Sequence, residues 1–431
     1  MNTLIILFVF PLLIIFSYFF DALARKTKFP AVILLMATGM LIRTIASIYG
    51  YESFALLNDL IPVLGTVGLI LIVLEGALEL DINREKLPLI LKGFVAAAVL
   101  LLANIVGLTI VFQYLLNLSY TAAVVYAIPL SIISSAVAIP SAVGLLPNDK
   151  EFVVYESTFS DILGIMIFNY ALLQFETGQN LLGITSIINL GFQILGVIFI
   201  SLLITYVLFR LLQNIKHHVK FFLILALLIL VYAFGKLFHL PALVTIFIFG
   251  LFMSNVQSLL PPFLKRYLNL EETQKGLHEF HILTAESTFL VRTFFFLFFG
   301  FSISLSTFNS LEPLLYGALI FFVMLLLRHL YLLVTTFKFN TAPLVYMAPR
   351  GLISILLFLQ IDEISFPFIK SPWIDERTLL VVILLSMLVL ILGNNRPKKV
   401  ADFKLENDEL IAPTVDLSSE DSSEADIVSD E

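Results

Sequence analysis

Apolar residues run in long unbroken stretches along most of the chain, and polar residues collect in short clusters between them. A helix needs about 20 apolar residues to cross a bilayer. About thirteen such spans are predicted, near 3–20, 29–49, 54–79, 87–113, 121–145, 152–175, 183–212, 219–239, 241–260, 285–305, 311–335, 343–359 and 378–393. The runs are continuous rather than alternating, which argues against a transmembrane β-barrel. The expected fold class is an all-α polytopic membrane protein.

The pattern also holds a weak internal repeat. Span three ends in LEGALEL (74–80) and span ten in FFGFSISL (298–305), which sets Gly76 opposite Gly300. Two spans later each half carries a proline-interrupted segment, SSAVAIPSAVG (134–144) and YMAPRGLISILL (346–357). Pro140 and Pro349 each remove an amide donor, and Gly351 loosens the turn. Freed carbonyls and half-helix ends can then face an ion, and matched broken helices in two halves point to a transporter's central site. A plain proline kink is the competing reading for either segment alone.

Charge refines the topology. The formal net charge is −7, but residues 401–431 hold eleven acids and one Lys, so the rest of the chain is mildly basic. That acidic, Ser-rich tail (396–431) is expected to be disordered and solvated. With the N-terminus outside, the inside loops collect most Lys and Arg, including Arg25, Lys26, Arg84, Lys86, Lys150, Lys216, Lys265 and Arg266. Outside loops hold only Arg43, Lys236, Lys370 and Arg377. This bias predicts a cytoplasmic C-terminus, in a cell membrane. The first apolar run ends in Ala22-Leu23-Ala24, a small-x-small site, but positive charge follows it rather than precedes it, so a first transmembrane helix is expected. There is no Cys, hence no disulfide or thiolate metal site.

The chemistry concentrates in ESTFSD (156–161), inside an apolar helix. A carboxylate at that depth costs about 2.5–3.5 kcal/mol on insertion scales. At about 100° per residue, Ser157 and Asp161 share a face with Gly164, while Glu156 and Asp161 lie about 140° apart. One face offers a carboxylate and a hydroxyl to a small cation; the other offers an acid that wants a cationic partner. Arg292, Arg328 and Arg350 lie in or at the edges of spans, and the acids within reach are Glu75, Glu156, Asp161 and Glu286. Snorkelling to an interface is the bland reading for Arg292 and Arg328. His217, His218, His278 and His281 are expected to be solvated, and His329 to be a packed helix residue. No metal cluster, phosphate loop or nucleophile elbow is present.

These segments, taken in order, resemble the monovalent cation:proton antiporters, in the sodium/proton exchanger branch. LILIVLEGALELD resembles the family's third-span signature, SSAVAIPSAV its broken fifth span and YESTFSD its sixth-span motif. LLLRHL resembles the eleventh span and APRGLIS the broken twelfth. The resemblance implies two inverted repeats with crossed broken helices, and a homodimer. Interface helices would lie at about 1–80 and 219–305, core helices at about 87–175 and 311–393, and a linker helix at about 183–212, all within a membrane domain of 1–395. It implies Asp161 as the ion- and proton-binding carboxylate, with Ser157, Glu75, Ser160 and a backbone carbonyl near Ala138 beside it. Glu156 and Arg328 would form a structural ion pair, and Arg350 would compensate the ends of the broken helix. Two departures stand out. Ala138-Ile139 replaces the family's Thr-Asp before the proline, and Ser160 replaces its Asn.

The expected function is therefore secondary antiport of Na⁺, K⁺ or Li⁺ against H⁺, without cofactor or nucleic acid. One acid serving both ions predicts electroneutral exchange. A passive or regulated potassium efflux channel is the alternative, though no filter-like Gly-rich loop is present. An intramembrane aspartyl protease needs two facing Asp residues, and Asp362 and Asp375 are expected in an outer loop.

Overall fold

The structure is a computed structural model that describes residues 3–27, 30–48, 55–80, 82, 85–178, 181, 183, 195–196, 198–209, 221–237, 242–256, 270–303, 310–336, 343–363, 371 and 373–394. His217, His218, the acidic tail and much of the linker segment lie outside these residues. Every regular element among the described residues is helical.

Seven helices occupy the first part: α1 (Thr3–Thr27), α2 (Ala31–Ile48), α3 (Ala55–Glu79), α4 (Leu87–Leu115), α5 (Tyr120–Ser131), α6 (Ser135–Ser141) and α7 (Pro147–Glu176). After them come α8 (Ile198–Phe209), α9 (Phe221–Leu237) and α10 (Ala242–Ser254). The last four are α11 (Leu270–Ser302), α12 (Glu312–Thr336), α13 (Leu352–Glu363) and α14 (Glu376–Asn394), with a 3-10 turn at Leu344–Tyr346 leading into α13. Among the described residues, α2, α3, α4, the α5–α6 pair, α7, α11, α12 and α14 are long and apolar enough to cross a membrane. The protein is a multi-pass helical membrane protein.

The outer faces of several helices are apolar, as a lipid-facing surface requires; Leu102, Val106, Phe199, Phe222 and Phe322 are all exposed. Hydrophobicity cannot drive such helices together, and close packing must do so. Gly39 of α2 and Gly300 of α11 answer each other: a Cβ on Gly300 would meet the Met36 main chain, and one on Gly39 the Phe301 amide. The two backbones therefore cross in contact.

Packing sorts the helices into two sets. In one, α2 and α3 lie on α11, α3 also on α10, α10 on α9, and α1 on α2 and α11. Helix α1 runs on through Ala22–Ala24 without interruption, and Ser17 shares a 2.7 Å hydrogen bond with Thr293 of α11. Ser201 of α8 bonds Thr245 of α10 at 2.7 Å. In the other set, α4 packs on α5, α7 and α12, α5 and α6 on α7, α13 on α5, and α12 on α14. Helix α3 touches both, through α6, α7 and α13.

Two breaks interrupt this second set. The first, Ile132–Ser134, parts α5 from α6, and the second, Met347–Gly351, precedes α13. The sequence put the first interruption at its proline, but the chain opens earlier and Pro140 sits inside α6. A proline near the end of a seven-residue helix frees one carbonyl, that of Ala136, and Arg292 of α11 donates to it at 3.1 Å. Asp362 lies in the last turn of α13 rather than in a loop, and Asp375 caps α14 by accepting from the Arg377 and Thr378 amides.

Candidate functional site

The two breaks cross, and the crossing is held by main-chain groups that helices would otherwise use. Three successive amides of the first break each find a partner from elsewhere in the chain. Ile133 N donates to Ser160 Oγ at 3.0 Å, Ser134 N to the Pro349 carbonyl at 2.9 Å, and Ser135 N to Asp161 Oδ2 at 3.2 Å. The middle bond joins one break directly to the other. Gly351 is required there: a Cβ would lie 2.9 Å from Ser134 Cβ. An amide left unpaired in an apolar interior costs several kcal/mol, so these partners decide whether the breaks can exist.

Asp161 is 2% exposed and reaches the crossing from the middle of α7. Its Oδ2 takes the Ser135 amide and, in a short bond, the Ser135 hydroxyl. Its Oδ1 has no protein partner. One oxygen thus anchors the carboxylate and the other remains free to hold a proton or a cation.

Glu156, one and a half turns earlier, is 1% exposed and fully engaged. Arg328 of α12 donates to both its oxygens, Nη1 to Oε1 at 2.7 Å and Nη2 to Oε2 at 2.9 Å. The same guanidinium donates from Nε to the Leu344 carbonyl at 2.9 Å and from Nη2 to that of Met347 at 3.3 Å. Arg328 therefore does not snorkel. It ties α7, α12 and the entry to the second break. The planar, five-donor guanidinium suits this fork.

Arg350 is equally buried, at 2% exposed, and bonds carbonyls rather than a carboxylate. Its Nε donates to the Leu130 carbonyl at the end of α5 at 2.7 Å, and its Nη1 to Ala348 O at 3.2 Å. Its own amide donates to Ser386 Oγ of α14 at 3.0 Å. A cation at a helix C-terminus offsets the partial negative charge of the last carbonyls. A small cavity of about 20 Å³ opens beside Arg328 and Arg350, bounded by Asn104, Tyr346 and Ser386; Asp161 does not line it.

The remaining sequence candidates are spread more widely. Ser157 is buried and donates to Val153 O at 2.7 Å, which leaves its lone pairs for other use. Ser160 spends its oxygen on Ile133 and thereby links α7 to the first break. The Ala138 carbonyl takes the Ala142 amide inside α6. Glu75 is half-buried on α3, with Thr288 and Arg292 of α11 as polar neighbours, and a Cβ added at the adjacent Gly76 would lie 3.5 Å from the Thr158 side chain of α7. His329 lies on the exposed face of α12 rather than packed, because the buried face of that turn belongs to Arg328. Glu286 is exposed and accepts from Tyr18 at 2.7 Å. Two contacts were invisible in the sequence reading: Ser135 as the holder of Asp161, and Arg292 as the partner of Ala136. The adjacent serines of SSAV, at the start of a broken segment, were the only local hint of the first. Among the described residues, no three of His, Cys, Asp and Glu come together as a metal site.

Two broken helices thus meet beside a buried carboxylate with one unpaired oxygen, within a multi-pass helical membrane fold. The family model "Sodium/hydrogen exchanger, transmembrane" matches residues 11–393. The chain belongs to the sodium/hydrogen exchanger family, and it is a cation:proton antiporter rather than an enzyme. Among solved structures it is similar to the sodium proton antiporter MjNhaP1 from Methanocaldococcus jannaschii at pH 8. The TM-score is 0.66 at 19% identity, over 92% of this chain and 100% of that one. An electron-microscopy map of the same antiporter gives a TM-score of 0.64 at 20% identity, over 91% and 95%. No curated protein matches the sequence.

Proposed function

We propose that the protein exchanges Na⁺ or K⁺ for H⁺ by letting the two compete for Asp161, one for one and without net charge movement. The observation that carries the reading is the free Oδ1 on a carboxylate that is 2% exposed and anchored through its other oxygen. A bare charge crossing a dry barrier is costly, so the core moves only when Asp161 holds a proton or a cation. Competition for one oxygen is then enough to couple the fluxes. Ser157, Glu75 and the Ala138 carbonyl are the further ligands this reading assigns, and Ser160 holds the first break beside them. Glu156 with Arg328, and Arg350, are structural: they keep the breaks charged but balanced while the site moves.

The moving core consists of residues 87–175 and 311–393, and the stationary part of residues 1–80 and 219–305. The separation of packing into two sets supports this division. The stationary part carries a homodimer interface, and the C-terminus is cytoplasmic, in keeping with the distribution of Lys and Arg. The test is purified protein in vesicles loaded with a pH dye and challenged with Na⁺, K⁺ and Li⁺ in turn. Wild type moves protons on cation addition and Asp161→Asn does not. Full exchange by that variant would sink the reading.

A further inference from the structure

Four of the buried side-chain oxygens without a protein partner belong to the first break and to α7 and α13: Asp161 Oδ1, Thr158 Oγ1, Ser134 Oγ and Ser354 Oγ. Their side chains are at most 3% exposed. Other helical hydroxyls divide: Ser131, Ser141, Ser157, Thr284 and Thr288 each donate to the carbonyl four residues back, whereas Thr109 and Thr205 find no partner. That back-bond is the usual way an apolar helix satisfies a hydroxyl. Thr158 sits mid-helix and forgoes it, which costs about 1–3 kcal/mol for a buried group, while Ser354 sits in the first turn of α13, where the carbonyl four residues back lies in the second break.

The three hydroxyls lie on the helix of Asp161 or on segments that touch it. Thr158 precedes Asp161 by nearly one turn on α7. Ser134 adjoins Ser135, which holds Asp161 Oδ2, and its hydroxyl lies against Gly351. Ser354 follows Gly351 by nearly one turn on α13, which packs on both α5 and α7. The first break, α7 and α13 thus contribute one uncommitted hydroxyl each. Meanwhile the α6 positions Ala138 and Ile139 offer no side-chain oxygen at all. Carboxylate and neutral oxygens are the hard ligands an alkali cation takes when it sheds water.

We infer that Ser134, Thr158 and Ser354 are cation ligands, supplying the neutral oxygens that complete the seat of an alkali-metal ion on Asp161 Oδ1. The inference rests on Asp161 being the exchange site. Three neutral oxygens add no charge, so one bound cation neutralises one carboxylate. The ligands also come from both broken segments, so a bound ion would draw the two breaks together.

The test uses full-length protein in dye-loaded vesicles, comparing wild type, Asp161→Asn, Ser134→Ala, Thr158→Val and Ser354→Ala against graded Na⁺, K⁺ and Li⁺. Each hydroxyl deletion should raise the cation KM roughly tenfold. The rise should differ among the three ions, so the order of preference changes; a merely structural serine would not do this. Ser134→Cys and Ser354→Cys keep the volume but offer a soft sulfur, and they carry the same expectation if an alanine variant fails to fold. Unchanged KM for all three ions in the hydroxyl variants, with Asp161→Asn inactive, would overturn the ligand assignment and leave the exchange site standing. Full exchange by Asp161→Asn would instead overturn the exchange site, and the ligand assignment with it.

Discussion

Glu156 and Asp161 occupy one helix, five residues apart, and are buried alike, at 1% and 2% exposed. Glu156 meets a guanidinium that fills both its oxygens, whereas Asp161 meets one serine that fills a single oxygen. Burial alone therefore does not make an acid functional. A carboxylate with both oxygens paired is a fastener, and one with an oxygen to spare is suited to be a seat. The helix turns the two acids toward different neighbours, so under the proposed mechanism the fastener holds while the seat changes occupant.

Neutralising each acid in turn should separate these roles. Asp161→Asn should abolish exchange, at least a hundredfold below wild type in the vesicle assay, while the thermal unfolding midpoint in detergent does not fall. The amide keeps the shape and removes an uncompensated buried charge, so folding has little to lose. A variant that unfolds far below wild type would make Asp161 a second fastener and erase the contrast.

Breaking the fastener should do the opposite. Arg328→Gln strands Glu156 in the interior and leaves the Leu344 and Met347 carbonyls without their donor. Removing one partner of a buried pair costs about 3–5 kcal/mol. A large loss of stability is expected, readable as a drop in midpoint and in monodisperse yield. Adding Glu156→Gln to the same chain should recover much of it, because no charge is then stranded. If Arg328→Gln lost activity at unchanged stability, the pair would belong to transport rather than to architecture.

A third variant sharpens the comparison at the place where both acids depend on the crossing. Gly351→Ala puts a methyl group against the Ser134 side chain, where the Ser134 amide bonds Pro349 O. Overpacking of this kind costs about 1–3 kcal/mol. The crossing must part slightly, and Asp161 should suffer first, since its anchor Ser135 is the next residue along. Exchange should fall severalfold while the Glu156–Arg328 pair keeps the protein folded. Wild-type exchange in this variant would mean that the crossing tolerates slack.

The sequence carried the outline well because the outline is local. Spans follow from runs of apolar residues, and the two acids and three arginines stand out as charges in a greasy background. What it could not carry is how the breaks are satisfied. Pro140 drew attention as the interruption, yet the chain opens at Ile132–Ser134, where nothing in the local sequence forbids a helix. That opening is stable only because Ser160, Pro349 and Asp161 arrive from distant parts of the chain to take three amides. Snorkelling was a reasonable thought for Arg328, since a lone arginine at a helix end would do so. The family resemblance already pairs it with Glu156; only the fold shows the Leu344 and Met347 carbonyls that complete its partners. His329 failed for a related reason: a turn has one buried face, and Arg328 already holds it.

The smallest expected effect is also the most informative about coupling. If Asp161 is the one group whose occupancy changes in a cycle, a proton travels one way and a monovalent cation the other, and no net charge crosses. Arg328 donates to both oxygens of Glu156, and the first broken segment carries no acid at Ala138 and Ile139. One net charge per cycle would be worth about 2.3 kcal/mol per 100 mV, which shifts the balance point of the ion gradients about 50-fold. In vesicles clamped at zero and at about 100 mV by a potassium diffusion potential, with Na⁺ as the transported ion, the balance point should stay where it is. A shift approaching 50-fold would require a second titrating group, and Glu75, half-buried on α3 beside Arg292, is where it should be sought. Glu75→Gln would then restore the flat response. If wild type is already flat, the same substitution should alter only the apparent cation affinity.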